Sequence, residues 1–407
     1  MKGVHIFLFG VIGLFIALPI IPVIAQTEVD ERAFLEVKDA VSIKKDDEFL
    51  LNIRFRMQSR FGFSTKSQSD LSPEQFEARV RRLRLRFDGY LLNPSFQYYI
   101  QLSFSRSDQN LDGAGRVAEI VRDAMVYYHF NDQFYIAFGQ GKLPGNRQRV
   151  TSSGNLQFAD RSIVNANLNI DRDFGFFGYY TLPLDWSEFR LKGAITTGDG
   201  RNAPAFNNGL AYTGRIEWLP FGAFTKDGDF MEGDLYREPH PRLAFGFTGS
   251  YNDNAVKSGG QTGSFFPDMQ TRNIRSLIAD MVFKYNGWSL SGEWINRFAD
   301  DPIIAQQDDP ENPFVMLIGS GVNFQASYLN HNNLEFALRY ALVQPDNDID
   351  SFLPNREEIL FGMTKYLNKH KVKLQSHIGY YTYSISEGPI EPRSNHFVFM
   401  FQLEFGI

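Results

Sequence analysis

From residue 48 to its end, the chain consists of segments in which apolar and polar residues alternate. Side chains on a β-strand point to opposite faces in turn, so each such segment is predicted to be a strand with one apolar face and one polar face. Sixteen of these segments can be counted, at residues 48–63, 76–92, 95–106, 117–130, 133–141, 173–182, 186–197, 210–219, 241–252, 271–286, 287–299, 314–330, 333–343, 355–367, 371–385 and 395–407. This repetition predicts an all-β chain built on one large antiparallel sheet.

The connections between these segments alternate in length. Asn93-Pro94, Asn131-Asp132 and the hairpin signal Asn286-Gly287 are short turns, whereas residues 142–172 and 253–270 are long loops. Only residues 220–240 are long where a short turn is due. An even number of strands, with short turns at one rim and long loops at the other, is typical of outer-membrane β-barrels. We therefore expect a transmembrane antiparallel barrel of about 16 strands, with long extracellular loops and short periplasmic turns.

Both ends of the chain fit an exported barrel. Residues 1–25 have a basic start, an apolar run and small residues before Ala25, which predicts a signal peptide cleaved after Ala25. Residues 26–47 are predicted to form a periplasmic linker or a short helix, and residues 48–407 the barrel. The chain contains no cysteine, and its last segment ends in alternating Phe399, Phe401, Leu403 and Phe405. A soluble, secreted all-β binding protein is the alternative from another class.

Arginines dominate the polar faces of the first two predicted strands. In the second strand, Leu83, Leu85 and Phe87 alternate with arginines. In a barrel of this size, the apolar face meets lipid and the polar face lines a water-filled lumen. The predicted pore-lining, anion-guiding residues are Arg54, Arg56, Arg60, Arg82, Arg84 and Arg86. Further inward-facing candidates are Arg190, Lys192, Lys284, Arg339, Lys371 and Lys373.

Two interpretations of these basic residues stay open. Guanidinium groups bind phosphate and carboxylate through two hydrogen bonds at once, so a row of them suits the passage of small anions. Alternatively, the basic residues only neutralise inward carboxylates in a weakly selective general channel, or in an oligosaccharide channel where Tyr99, Tyr127 and Tyr135 stack on sugars. The carboxylates considered for this neutralisation are Glu119, Asp123, Asp280, Glu293, Glu335 and Glu404.

The longest loop of the predicted loop rim, residues 142–172, is expected to fold into the lumen as a constriction. Its basic residues outnumber its acidic ones, and a charged loop between low-dielectric walls focuses its field on passing ions. The predicted constriction residues are Lys142, Arg147, Arg149, Arg161 and Arg172.

Several of these segments resemble the phosphate-selective porins of the O and P type. The similar stretches are RLRLRFDGYL, NPSFQYYIQLSFS, RDAMVYYHF, FGQGKLP, FADRSIVNANLNIDRDFG and WLPFG, in that order along the chain. The resemblance implies a trimeric, sixteen-stranded porin in the outer membrane of a Gram-negative bacterium. It also implies an arginine row at Arg54, Arg56, Arg82, Arg84 and Arg86, and a loop contribution from Lys142 and Arg161.

Other chemistry finds little support in the sequence. No nucleophile, nucleotide-binding or zinc motif is present, so we expect neither an enzyme, nor a cofactor, nor a metal site. The acidic run Asp227–Asp234 could hold calcium, but a solvated turn is the simpler interpretation. The net charge of −6 argues against nucleic acid as a partner. The expected partners are small anionic solutes, outer-membrane lipid and two further copies of the chain.

Overall fold

The computed structural model describes residues 34–37, 40–109, 118–203, 208–306, 312–385 and 393–407. The predicted signal peptide and residues 26–33 lie outside the described residues, as do parts of several predicted loops. Among the residues that are described, no helix is long and apolar enough to cross a bilayer.

The described residues form an antiparallel β-barrel of sixteen strands, which confirms the predicted fold class. Each strand pairs with the next one along the chain, and the last pairs with the first, Phe405 lying opposite Met57. The sixteen barrel strands are β3 (Phe49–Thr65), β4 (Pro73–Leu91), β5 (Asn93–Ser103), β6 (Val121–His129), β7 (Phe134–Lys142), β8 (Arg172–Pro183), β9 (Glu188–Thr196), β10 (Ala211–Leu219), β11 (Arg242–Ala255), β12 (Arg272–Tyr285), β13 (Trp288–Ala299), β16 (Gly319–Leu329), β17 (Leu334–Pro345), β18 (Asn355–Asn368), β19 (Val372–Ser384) and β20 (His396–Gly406).

Four short strands, two short α-helices and three 3₁₀-helices (Arg106–Asp108, Thr225–Phe230 and Pro267–Met269) complete the described elements. Strands β1 (Phe34–Val37) and β2 (Val41–Lys45) form a hairpin, and β2 pairs with the start of β3, below the point where β20 ends. The expected linker or helix is therefore wrong here, because Val41 and Ile43 alternate with polar residues and complete an edge of β3 that β20 does not reach. The other elements are β14 (Ile303–Ile304), β15 (Phe314–Val315), α1 (Arg147–Val150) and α2 (Ile163–Leu168).

Alternation along the strands separates a lipid-facing surface from a polar interior. On β10, Tyr212, Ile216 and Trp218 point outward and are exposed, while Arg215 and Glu217 point inward and are buried. Phe176 on β8 is 65% exposed. Exposed apolar surface costs about 25 cal/mol per Å² in water, so a belt of such residues is stable only against lipid.

Buried apolar side chains fill part of the interior. Helix α2 packs Val164 and Leu168 against inward residues of β12, β13 and β17, such as Ile278, Ile295 and Val343. Near the rim with long loops, Ile274, Ile304 and Met316 belong to a second buried apolar cluster. The first cluster also includes inward Met125 of β6 and Phe177 of β8, on the side where the arginines and tyrosines lie.

Candidate functional site: the arginine wall and the lumen loop

The arginine wall consists of the inward arginines of β3 and β4, and it places like charges directly opposite each other. Arg54 pairs with Arg86 across the two strands, and Arg56 pairs with Arg84. Opposed residues have their Cβ atoms about 5 Å apart, and like charges at such positions destabilise a sheet. A bulge lies beside the next pair, where Gln58 faces Arg82 and Ser59 faces Val80, which leaves Arg81 unopposed. The wall thus continues toward the loop rim through Arg60 and Arg82.

Most of these arginines share a carboxylate with a second arginine. Asp88 contacts both Arg54 and Arg86. Asp108 lies 2.8 Å from Arg84 and 3.2 Å from Arg122. Asp160 lies 2.6 Å from Arg60 and 3.6 Å from Arg82. Each carboxylate is shared by two or three guanidinium groups, which holds the wall together but leaves it positively charged.

The lumen loop, residues 143–171, crosses the barrel from the arginine wall to the opposite side. Ser153 accepts hydrogen bonds from Arg56 and Arg84, at 2.8 and 2.9 Å. On the opposite side, Glu293 on β13 accepts from the main-chain N–H of Gln148 and from the Asn146 side chain, at 2.6 and 3.0 Å. Hydrogen bonds from both sides of the barrel therefore hold the loop inside the lumen.

The structure divides the eleven predicted site residues into two groups. Five of them are buried: Arg60, Arg82, Arg84, Arg147 and Arg172. Six keep part of their surface accessible: Arg54, Arg56, Arg86, Lys142, Arg149 and Arg161. The accessible group can meet a passing solute, whereas the buried group fixes the wall and the loop.

Arg147 lies apart from the arginine wall. It is 5% exposed and contacts Asp280 on β12 and Asp229, both at 3.1 Å. Glu217 on β10 lies 3.6 Å away. Three carboxylates around one buried guanidinium make a structural anchor for the start of the lumen loop.

Lys142 and Arg161 are held by main-chain oxygens instead of carboxylates. Lys142 donates to the carbonyls of Val150 and Thr151, and Arg161 to those of Gln148 and Thr151. Burial, together with the positive charges of Arg149 and Arg84, lowers the pKa of Arg161 to about 9. The loop crossing is therefore a region of positive potential.

Asp171, at the end of the lumen loop, contacts both Arg149 and Arg172. Burial alone would raise the pKa of the Asp171 carboxyl, but these two arginines hold it well below its ordinary range. Arg172 also lies 2.8 Å from Asp123 on β6. This cluster balances its own charges, so the excess positive charge lies with Lys142, Arg161 and the wall.

The long connection between β10 and β11, residues 220–241, also folds into the lumen, and we call it the inward segment. Its Glu232 carboxylate accepts hydrogen bonds from Gln148 and from the main chain of Gln157, at 3.0 and 2.8 Å. Lys284 on β12 donates to three of its carbonyls, and Asp234 is 1% exposed. The expected solvated turn is therefore wrong, because this segment packs under the lumen loop.

The acidic side chains of the inward segment bind different partners. Asp229 contacts Arg147 and Arg190, and Asp234 accepts from the main chain of Glu238 and Gly287. Within the described ranges, no group of three or more acidic, histidine or cysteine side chains is placed to hold a metal ion.

Tyrosines line the lumen below the arginines. Arg86 lies over the ring of Tyr99, 4.9 Å from its centroid. Tyr135 stacks on His129 and on Tyr179, with centroid distances of 4.6 and 4.5 Å. Tyr127 lies 6.3 Å from Tyr135 at an inclined angle. The three tyrosines predicted from the sequence thus lie in one lumen, with Tyr179 as a further member.

The sequence did not identify the carboxylates that pair with the wall. Of the six considered, only Glu404 approaches it, 3.8 Å from Arg56. Asp88 could have been recognised, because it has the same parity on β4 as Arg82, Arg84 and Arg86. Asp108 and Asp160 lie in loops, where no periodicity predicts which strand a side chain will meet.

Comparison with known sequences confirms the family resemblance. The sequence profile described as phosphate-selective porin O and P matches residues 51–223. This range contains every stretch on which the resemblance was based, as well as the arginine wall and the lumen loop. No curated protein matches the chain significantly.

Solved structures with the same fold have low sequence identity to this chain. OmpF of Salmonella typhi, in complex with daunomycin, is 13% identical with a TM-score of 0.55, covering 90% of this chain and all of that one. The outer membrane channel DcaP of Acinetobacter baumannii is 11% identical with a TM-score of 0.52, over 87% of this chain and 97% of that one. OprB of Pseudomonas putida, at high pH, is 9% identical with a TM-score of 0.52, over 88% and 94%. These likenesses show the fold, and with the family match they identify an outer-membrane channel.

Proposed function

We propose that this outer-membrane channel, whose residues 51–223 match the phosphate-selective porins, passes small anions such as phosphate by passive diffusion. One observation carries the proposal: at the loop crossing, Lys142 and Arg161 are bound by main-chain carbonyls, with no carboxylate within salt-bridge distance among the described residues. Their positive charges are therefore available to a solute. Basic residues lining a narrow channel favour anions.

The proposed route of the anion runs along strands β3 to β9. An anion entering from the loop rim meets Arg149, Arg161 and Lys142 at the crossing, then Arg56, and then Arg54 and Arg86 below it. Water between low-dielectric walls screens these charges less than bulk solvent does, so the barrier for an anion falls and that for a cation rises. The forked guanidinium groups suit the oxygens of phosphate and carboxylate.

We propose three further features that complete this function. The turn rim faces the periplasm and the loop rim faces outward, as in other outer-membrane barrels. Residues 1–25 are removed on export, and the mature chain assembles as a homotrimer. Cross-linking in native outer membranes tests the trimer, and mass spectrometry of the mature N-terminus tests cleavage after Ala25.

Block of the chloride current by phosphate tests the proposed function. In planar bilayers with KCl, millimolar phosphate should lower the conductance of the wild-type channel. Lys142→Gln combined with Arg161→Gln should weaken this block, because both charges are lost where phosphate must pass. Arg275→Gln is the matched control, since Arg275 lies on β12 with a 55% exposed side chain paired to Asp300. An equal block in the double variant would refute the role of the loop crossing.

A further inference from the structure

A recess lies at the turn-rim side of the lumen, between strands β7 to β9 and the inward segment. Its volume is about 340 Å³. Small-molecule sites in proteins occupy roughly 300–1,000 Å³, so the recess has the size of such a site. We call it the tyrosine recess, and its walls include Tyr135, Tyr179, Thr181, Arg190, Lys192 and Phe230.

The tyrosine recess offers an aromatic surface at the end of a stack of rings. His129, Tyr135 and Tyr179 stack in that order, and Tyr179 ends the stack. Both faces of Tyr135 are occupied by its neighbours, whereas Tyr179 lies opposite Lys192 on β9 and lines the recess. Tyr179 is half-buried, which holds its orientation while leaving surface in the recess.

The charged groups around the recess neutralise one another. Arg190 lies 2.5 Å from Glu188 and 2.8 Å from Asp229. Lys192 lies 2.7 Å from Glu217, and its ammonium sits 4.7 Å from the centroid of Phe230. The recess therefore carries many polar groups without the excess positive charge of the loop crossing above it. Its chemistry does not select anions.

We propose that the tyrosine recess binds the ring of an uncharged sugar, a mono- or disaccharide. A pyranose ring has an apolar C–H face that packs on Tyr179, and equatorial hydroxyls that hydrogen-bond to Thr181 and to the planar groups of Arg190 and Glu188. A linear polyol has the same hydroxyls but no rigid face. The recess thus gives the channel a second solute class, at a site separate from the positive crossing.

Conductance measurements with two uncharged solutes test this proposal. In KCl on both sides of a planar bilayer, maltose should lower the conductance of the wild-type channel more than sorbitol at equal concentration and viscosity. Tyr179→Ala should require a roughly two- to tenfold higher maltose concentration for the same excess block, in line with the strength of aromatic stacking. Thr181→Val should shift the excess block in the same direction if Tyr179→Ala does not assemble.

Tyr340→Ala is the matched control, because Tyr340 points outward on β17 and is exposed. It should leave the excess block by maltose unchanged. Equal effects of maltose and sorbitol on the wild type, or an excess block that survives both Tyr179→Ala and Thr181→Val, would overturn the proposal. The reversal potential in a KCl gradient, recorded in the same membranes, separates this result from a failure of the anion channel, because neither variant removes a charge.

Discussion

On β3 and β4, like-charged residues face each other at a cost in stability. Two arginine pairs, Arg54–Arg86 and Arg56–Arg84, face each other across the strands, an arrangement that destabilises a sheet by itself. Asp88 and Asp108 offset part of this repulsion, but Asp88 contacts two arginines and Asp108 contacts three. The wall therefore keeps an excess of positive charge, which supports the proposed passage of anions along it.

Replacing the accessible arginines should reduce anion preference without preventing assembly. Arg56→Gln combined with Arg86→Gln removes two charges that remain partly exposed to the lumen. A unit charge at about 4 Å contributes on the order of 1 kcal/mol in water, so we expect the ratio of chloride to potassium permeability to fall about fivefold for each lost charge. Bi-ionic or gradient potentials measure this ratio.

Arg275→Gln provides the comparison for that double variant, because it removes the same charge outside the lumen. Its permeability ratio should equal that of the wild type. A ratio unchanged in Arg56→Gln with Arg86→Gln would mean that the wall is structural. Buried Arg82 and Arg84 are poorer tests, because their loss leaves the carboxylates of Asp160 and Asp108 with fewer partners and weakens the fold.

At the scale of elements, two connections decide the shape of the channel. The lumen loop descends from the loop rim, and the inward segment rises from the turn rim to support it. Glu232 joins them, since it accepts from Gln148 and from the main chain of Gln157, while its own N–H donates to the carbonyl of Asn155. The inward segment, which interrupts the alternation of short and long connections, thus supports the lumen loop.

Glu232→Ala should loosen the lumen loop. Gln148 and the main chain of Gln157 lose their acceptor, and unsatisfied buried donors cost about 1–3 kcal/mol each. We expect a larger and noisier single-channel conductance with the barrel intact. Asp185→Ala, an exposed carboxylate in the turn after β8, is the control and should record like the wild type. If the Glu232→Ala channel had the conductance and the current noise of the wild type, Glu232 would not support the lumen loop.

The barrel strands also contain a glycine that the backbone requires. Gly139 on β7 has φ of 129°, and a Cβ atom there would lie 2.1 Å from the carbonyl oxygen of Ala124. Gly139→Ala should destabilise the barrel by about 1–3 kcal/mol, and lower the temperature at which its folded gel band disappears. Gly178→Ala is the control, because nothing lies within 4 Å of the added atom. If the folded gel bands of both variants disappeared at the same temperature, the predicted strain at position 139 would be refuted.

The sequence predicted regular elements well and side-chain partners poorly. Period-two alternation located sixteen strands to within a few residues, because one face must meet lipid along every strand. The same rule placed Arg54 and Arg86 in the lumen. It could not predict that Asp160 reaches Arg60 or that Glu232 supports Gln148, since such contacts depend on how irregular loops fold. The linker or short helix expected over residues 26–47 was wrong at β2, because strand pairing with β3 outweighed local preference.

The described residues form a barrel whose lumen is partly filled by its own loops and apolar side chains. Helix α2 and its apolar neighbours occupy the region near β12 to β18. The polar interior runs from the loop crossing, past the arginine wall, to the tyrosine recess. In the proposed route, an ion that crosses the membrane passes Lys142 and Arg161.

The reversal potential of the purified channel in a planar bilayer tests this account most directly. With a tenfold gradient of KCl and no other solute, the measurement reports the sign of the charge that the lumen favours. The account predicts a potential set by chloride, hence a preference for anions, which shrinks in Lys142→Gln with Arg161→Gln. A potential set by potassium would contradict it.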